Sequence, residues 1–447
     1  MGGHDPRQAA LEIFQAGLTA ADPFRLLTER SRLEGDRFRW EGEPPWELPP
    51  AGAAGRVIVL GAGKAAASLA RALEQLLAFR ISSGRIVVKH GHGLPLDRIR
   101  IHEGGHPLPD DQGLAGTRAV LEELGGMRPS DRVFFLLTGG ASALLVAPIE
   151  GLSLGDKVEV SRLLLASGAT IQEMNAVRKH LSAVKGGRLA QRIAPAPALT
   201  LIVSDVVGDD LSSIGSGPTA PDPTTFADSF SILSRYQLLA AIPAPARAVL
   251  EKGARGELAE TPKPGNPAFG GMRHLILASN RISLDAATAR ARTLGFAPEI
   301  FERDMVGSTH QKARDFAQRL RALSLISGES LALLAGGETT LQVKGQGLGG
   351  RNQEFALVVA CELAAEPGWL VLAAGTDGTD GPTDAAGAFA DGTTLDRARA
   401  AGLHPQAVLE NNDSYRLFDR LGDLLRTGPT GTNVMDLVVG LRYRPKA

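Results

Sequence analysis

The chain has 447 residues, enough for two domains and a sizeable core without disulfide staples. Hydrophobic residues make up 43% and charged residues 22%, the balance of an ordinary folded protein, which excludes disordered, collagenous and fibrous classes. With 48 basic against 49 acidic residues the net charge is −1, so no global field attracts nucleic acid or an anionic membrane, and the single cysteine, Cys361, excludes an intrachain disulfide or a cysteine-rich zinc site.

The N-terminal segment MGGHDPRQAALEIFQAGLTA puts Asp5, Arg7 and Glu12 where a secretion signal needs an apolar centre. It reads as an amphipathic helix, and a cytoplasmic location is expected. The longest uncharged stretch, 133–149, is interrupted by Thr138, Gly139, Gly140 and Ser142 and is too short for a membrane span. Apolar, β-rich runs recur at 57–60, 86–88, 133–137, 199–203, 275–278, 331–335 and 370–374, most of them followed by glycine and then a helical pattern. Strands alternating with helices predict parallel βαβ units, hence an α/β sandwich whose ligands bind beyond the carboxyl ends of the strands. The Pro/Ala/Gly-rich stretch 242–271 carries little strand signal, so a boundary is expected near residue 240, dividing the chain into domains 1–240 and 241–447.

The glycine loops carry the candidate chemistry. After the first strong strand, Gly61, Gly63 and Ala66 give G-x-G-x-x-A, a pattern that brings backbone N–H groups to a phosphate at a helix start. The next strand ends in Lys89 and His90 rather than an acid, which disfavours NAD but not NADP, and Ala65 after Lys64 excludes a strict P-loop. Lys64 is a candidate phosphate contact, its alternative being an exposed first-turn lysine. Gly139, Gly140 and Ser142 form a second anion-type loop, or a tight turn needed only for packing. His106 reads as a ligand contact or a structural histidine. Arg178, Ser182 and Lys185 share a face if 175–190 is one helix, suiting an anion or simply solvent.

Ser204 and Asp205 close a strand, with Asp209, Asp210, Gly215 and Gly217 following; an acid there can take a hydroxyl proton or hold Mg²⁺ beside phosphates, and capping explains some of these residues equally well. Later, Gly345, Gly347, Gly349 and Gly350 can wrap a ligand with Arg351 at the loop's end, and Asp377, Asp380 and Asp384 follow a strand at spacings that could bind Mg²⁺.

Together these segments resemble the glycerate 2-kinase family, whose C-terminal part is the MOFRL domain. The resemblance rests on GAGKAA at Gly61, GGHPLPD at Gly104, LTGGASAL at Leu137, NAVRKHLSAVKGGRLA at Asn175, SDVVGDD with GSGPT from Ser204, GGETT and GGRNQE from Gly336, AAGTDGTDGPTDAAGA at Ala373 and GPTGTN at Gly428. It implies transfer of the γ-phosphoryl group of ATP to the 2-hydroxyl of D-glycerate with a divalent metal such as Mg²⁺. It also implies a Rossmann-like N-terminal domain and a C-terminal α/β domain containing the MOFRL region at about 330–440, with the active site in the cleft between them. The family's catalytic lysine and arginine fall on Lys64 and Arg351, and its strand-end aspartate on Asp205. Nucleotide contacts are expected from Gly61, Gly63, Gly139, Gly140, Ser142, Gly215 and Gly217, and metal contacts from Asp377 and Asp380. Relatives labelled hydroxypyruvate reductase supply the alternative, an NAD(P)H-dependent hydroxypyruvate reductase. The partners expected are small molecules, with no nucleic acid and no membrane, and a homodimer is compatible with the reading.

Overall fold

The apolar runs become strands of two separate sheets in the computed structural model, which describes residues 5–323, 330–364 and 366–444. Two units result, one spanning Pro23–Leu277 and the other joining Met1–Asp22 to Ala278–Ala447.

The Pro23–Leu277 unit opens with a small antiparallel sheet of β1 (Ser31–Glu34), β2 (Arg37–Trp40) and β3 (Trp46–Glu47). Its main sheet consists of β4 (Val57–Ala62), β5 (Ser83–Lys89), β6 (Ile99–Gly104), β7 (Arg132–Thr138), β8 (Ala198–Val203) and β9 (Met272–Ala278), in the order β6-β5-β4-β7-β8-β9. Pairing is parallel from β6 through β8. Every residue of β4 and β8 is buried, as expected of parallel strands covered on both faces. Strand order reverses between β4 and β7, so the crevice that receives ligands in such sheets opens at the loops following these two strands.

The stretch after residue 240 belongs to this same unit. The helix Ala244–Ala254 buries Ala246, Val249 and Leu250 against Phe226, Leu233 and Val160, and β9 adds an edge to the main sheet. The units therefore divide at 277/278 and again at 22/23 rather than near residue 240. Scarcity of strand signal between 242 and 271 marks a helix followed by mostly irregular chain packed on a core, not a linker between cores.

The second unit holds β10 (Phe296–Met305), β11 (Ser330–Gly337), β12 (Trp369–Gly375), β13 (Gly387–Asp391), β14 (Leu424–Leu425) and β15 (Asp436–Arg442), in the order β10-β11-β15-β12-β13-β14. Only β10 and β11 pair in parallel; β15 inserts antiparallel between β11 and β12. Here the expectation of a parallel sheet gives way to a mixed one, because the C-terminal strand DLVVGLR is buried along nearly all its length and takes a central place. Alternate residues of the strands feed two cores. Leu333, Ala335, Val371 and Val438 meet helices Thr309–Ala322 and Arg351–Glu362, while Leu334, Leu372, Leu437 and Val439 meet helices Pro6–Ala20 and Asn280–Thr293. The N-terminal helix forms as its sequence predicts, with the Asp5 side chain accepting from the Arg7 N–H and Pro6 in the first turn.

Candidate active site

In the Pro23–Leu277 unit the expected loops converge on one another. Gly63 turns with φ +132°, donating its N–H to Val87 O at 3.0 Å, and the next two amides go from Lys64 to Gly139 O at 2.8 Å and from Ala65 to Thr138 Oγ1 at 3.1 Å. A Cβ on Gly63 would overlap Thr138, and one on Gly61 would lie 2.5 Å from Leu136 O. These two glycines let β4 approach β7, and the amides that G-x-G-x-x-A was expected to offer a phosphate are spent on internal acceptors. What the loop presents is the half-buried Lys64. The second loop behaves oppositely: among the described residues the N–H groups of Gly140, Ala141 and Ser142 donate to no group, and Gly140 is left-handed with φ +84°. A Cβ on Gly140 would stand 3.0 Å from the His106 ring and 3.3 Å from Lys64 Cγ, so Lys64, His106 and the Gly139–Gly140 turn adjoin. A lysine side chain beside open amides at the carboxyl ends of β4 and β7 is an arrangement suited to an anion.

The third loop supports the second. Ser142 Oγ lies 2.9 Å from Ser216 Oγ, which bonds Asn175 Oδ1 at 3.3 Å. Gly215 and Gly217 are both left-handed, and a Cβ on Gly215 would press on Leu137 at 2.7 Å. Asp210 binds the Ser212 and Ser213 hydroxyls at 2.8 and 2.6 Å, which holds its carboxyl below the ordinary range against burial and accounts for it as a turn builder. Asp205 lies two residues past the end of β8 and is partly exposed.

The cationic face expected on 175–190 does not form, because the helix ends at His180 and Gly186 and Gly187 turn with positive φ. Lys185 is buried on the Gly215 carbonyl at 3.2 Å, its basicity lowered by burial and by Lys157 and Arg178, while Ser182 bonds Ala147 O at 3.3 Å. Both brace the loops from beneath.

In the second unit Arg351 is the first residue of the helix Arg351–Glu362. Its Nε and Nη2 grip the two oxygens of Asp436 at 2.6 and 2.9 Å, and Nη1 lies 2.8 Å from Glu338 Oε1. Although burial opposes its charge, Asp436 and Glu338 keep the guanidinium protonated at every accessible pH. Its bidentate face is thus already occupied, leaving the outer edge of a side chain 31% exposed to meet a ligand.

The glycine loop before Arg351 wraps its own chain. Asn412 Oδ1 accepts from the Lys344 and Gly345 amides at 2.7 and 2.9 Å, Asp413 accepts from Leu348 at 2.8 Å, and a Cβ on Gly347 would meet Asn411 O at 2.5 Å.

The aspartates expected as metal ligands are separately employed. Asp380 is buried and accepts the Asn352 and Gln353 N–H groups at 3.1 and 2.9 Å, capping the Arg351 helix. Burial, reinforced by Asp436, pushes its carboxyl up to about 7. Asp377 accepts from the amide and hydroxyl of Thr379, both at 3.0 Å, and Asp384 from Tyr415 at 2.7 Å. Among the described residues no group of three or more His, Cys, Asp or Glu forms a metal-ion cage, and Asp377 and Asp380 turn their oxygens to separate local donors. A cavity of about 450 Å³ lies elsewhere in the unit, lined by Thr309, His310, Arg314, Lys344, Cys361 and Asn412 among others, and includes none of the expected site residues. Sequence reasoning missed Asp436 and Glu338; the acid at the head of DLVVGL, after a glycine turn, was the available signal.

Two family models match: a domain of unknown function, DUF4147, over residues 9–251, and the MOFRL family over residues 331–436. The glycerate 2-kinase of Pyrococcus horikoshii is 40% identical over 98% of this chain and 97% of its own length, and the D-glycerate 2-kinase of Thermotoga maritima is 42% identical over 86% and 90%. A protein of Agrobacterium vitis with a hydroxypyruvate reductase name is 41% identical over 96% and 93%. The crystal structure of glycerate kinase from Thermotoga maritima superposes with a TM-score of 0.82 at 38% identity, covering 98% of this chain and 99% of that one. Fold, motif order and full-length similarity agree, and the chain belongs to the glycerate 2-kinase family.

Proposed function

We propose that the protein transfers the γ-phosphoryl group of ATP to the 2-hydroxyl of D-glycerate, giving 2-phosphoglycerate and ADP. The observation that carries this reading is Lys64 beside His106 and the undonated amides of Gly140, Ala141 and Ser142, at the crevice where the parallel sheet reverses its strand order. Such a site neutralises phosphate oxygens and fixes their direction, which is most of what phosphoryl transfer asks of a protein. In this assignment the substrate oxygen attacks the γ-phosphorus, the bond to the β,γ-bridging oxygen breaks with its electron pair leaving on ADP, and Asp205 accepts the hydroxyl proton. Lys64 and Arg351 are the assigned catalytic cations, Arg351 through the edge that Asp436 leaves uncovered. Gly139, Gly140 and Ser142 are the assigned nucleotide contacts, and Gly61, Gly63, Gly215 and Gly217 shape their loops. Magnesium is assigned to the nucleotide phosphates rather than to a protein cluster. The unpaired Cys361 suits a reducing cytoplasm, and no described helix is long and apolar enough to cross a membrane.

The reductase reading needs a pyrophosphate cradle after β4, and the amides that would form it are bonded internally. One incubation tests both readings: purified protein with ATP, Mg²⁺, D-glycerate, hydroxypyruvate and NADPH, followed by phosphorus NMR and NADPH absorbance. Appearance of 2-phosphoglycerate and ADP is expected. NADPH loss without phosphoglycerate refutes the kinase assignment.

A further inference from the structure

Asn280 opens the helix Asn280–Thr293 immediately after β9 and is 2% exposed. Its Nδ2 donates two hydrogen bonds, to Val434 O at 2.7 Å and Asp436 O at 2.9 Å. The residue between these carbonyls, Met435, holds φ +67°, a left-handed conformation that a long side chain adopts only when its surroundings enforce it. Thr376 holds the same bend from the other side, accepting from the Val434 N–H at 2.8 Å and donating to Met435 O at 2.6 Å. Directly after the bend comes Asp436, whose carboxylate takes both fork nitrogens of Arg351.

Asn280 Oδ1 is buried, receives no hydrogen bond from the described residues, and lies where a Cβ on Gly336 would overlap it. Gly336 stands near the end of β11, in register with Leu437 of β15. The carboxamide therefore has one workable orientation, since rotating it would set its oxygen against two carbonyls. A buried acceptor left without a partner is costly, so the site keeps Asn280 for its two donors.

We propose that Asn280 is a positioning residue for phosphoryl transfer: with Gly336 it fixes the strained bend at Met435 and thereby aims the Asp436–Arg351 pair, without itself touching substrate. The proposal rests on the assignment of Arg351 as a catalytic cation.

Steady-state kinetics of the full-length protein with ATP and D-glycerate test it. Asn280→Ala is expected to lower kcat by up to about 100-fold, the cost of misplacing a reacting group by roughly 1 Å, with KM for both substrates close to wild type. Asp436→Asn lowers kcat as well, and the double variant is expected to be no slower than the slower single one, whereas independent residues would multiply their effects. Asn280→Asp matches the native shape but places a carboxylate against two carbonyls. Protonation restores one donor, so its kcat relative to wild type is expected to rise as pH falls from about 8 to about 6. A residue that only supports the fold lowers thermal stability without this pH signature. Should Asn280→Ala fail to fold, the near-isosteric Asn280→Asp and Gly336→Ala, which pushes a methyl group against the same oxygen, carry the test, with a kcat loss expected for both. Wild-type kcat in the folded Asn280 variants, multiplicative losses with Asp436→Asn, or a flat pH ratio overturns the proposal. Full activity of Arg351→Ala overturns the assignment beneath it, so the two failures are told apart.

Discussion

Replacing Asp380 by asparagine isolates the electrostatic cost of seating the Arg351 helix on a buried acid. Burial raises this carboxyl from 3.8 to about 7, with Asp436 adding to the rise, while the Gln353 and Asn352 amides and Arg351 pull the other way. Between these values the folded protein retains a proton that the unfolded chain has lost, so stability declines as pH rises through the window and levels off above about 7. The separation of roughly 3 pH units at ~1.4 kcal/mol each amounts to about 4 kcal/mol in full, of which roughly 2.5 kcal/mol falls between about pH 5 and pH 8. Asp380→Asn abolishes the titration while its amide oxygen still accepts from the helix start. The variant is therefore expected to gain stability relative to the wild type by roughly that 2.5 kcal/mol across the same interval. Urea unfolding reports this through Trp369, the one tryptophan of its unit, in a background where Trp40 and Trp46 are replaced by phenylalanine. A stability difference between variant and wild type that is flat from about pH 5 to pH 8 refutes the argument, since it would mean that Asp380 ionises alike in the folded and unfolded states.

Lys157 gives the opposite sign. Burial pulls its ammonium from 10.5 down to about 7 while its Nζ bonds the Arg178 and Leu181 carbonyls, so stability rises with pH across that window, and Lys157→Met is expected to flatten the rise in alkaline urea titrations. Gly63→Ala drives a methyl group into Thr138, and a loss of about 1–3 kcal/mol in chemical unfolding is expected together with impaired turnover. Arg351→Ala is expected to reduce kcat by roughly 10³- to 10⁵-fold and Asp205→Asn by about 10²- to 10⁴-fold in the coupled ADP assay; a larger loss at Asp205 assigns it to more than proton transfer.

The strands of the first sheet were legible because β4, β7 and β8 are buried on both faces and therefore read as unbroken apolar runs. β10 was not, since FAPEIFERDM mixes proline and charge at a sheet edge, and the central antiparallel position of β15 depends on pairings that no local pattern encodes. Glycine positions were easy to find and hard to interpret. Gly63 and Gly140 look alike in sequence, yet the amides around the first are consumed and those after the second are not, a difference decided by which carbonyls the neighbouring strands bring within reach. Arg351 was recognisable at a helix start, but its carboxylate clamp comes from Asp436, 85 residues away in sequence. The acidic spacing of Asp377, Asp380 and Asp384 suggested one shared ion, whereas each side chain closes a different local turn, helix end or surface pair.

Because Met1–Asp22 packs with Ala278–Ala447, ribosomal synthesis delivers the molecule out of spatial order. The intervening unit emerges with all its own strands and can complete its core early. The helix Pro6–Ala20, made before that unit, must carry Ile13 and Phe14 uncovered until β11, β12 and β15 have been translated, a wait of roughly twenty to eighty seconds at ~5–20 residues per second. For that interval the helix exposes an apolar face on the nascent chain, and a chaperone that shields it is expected to raise the yield of the native enzyme.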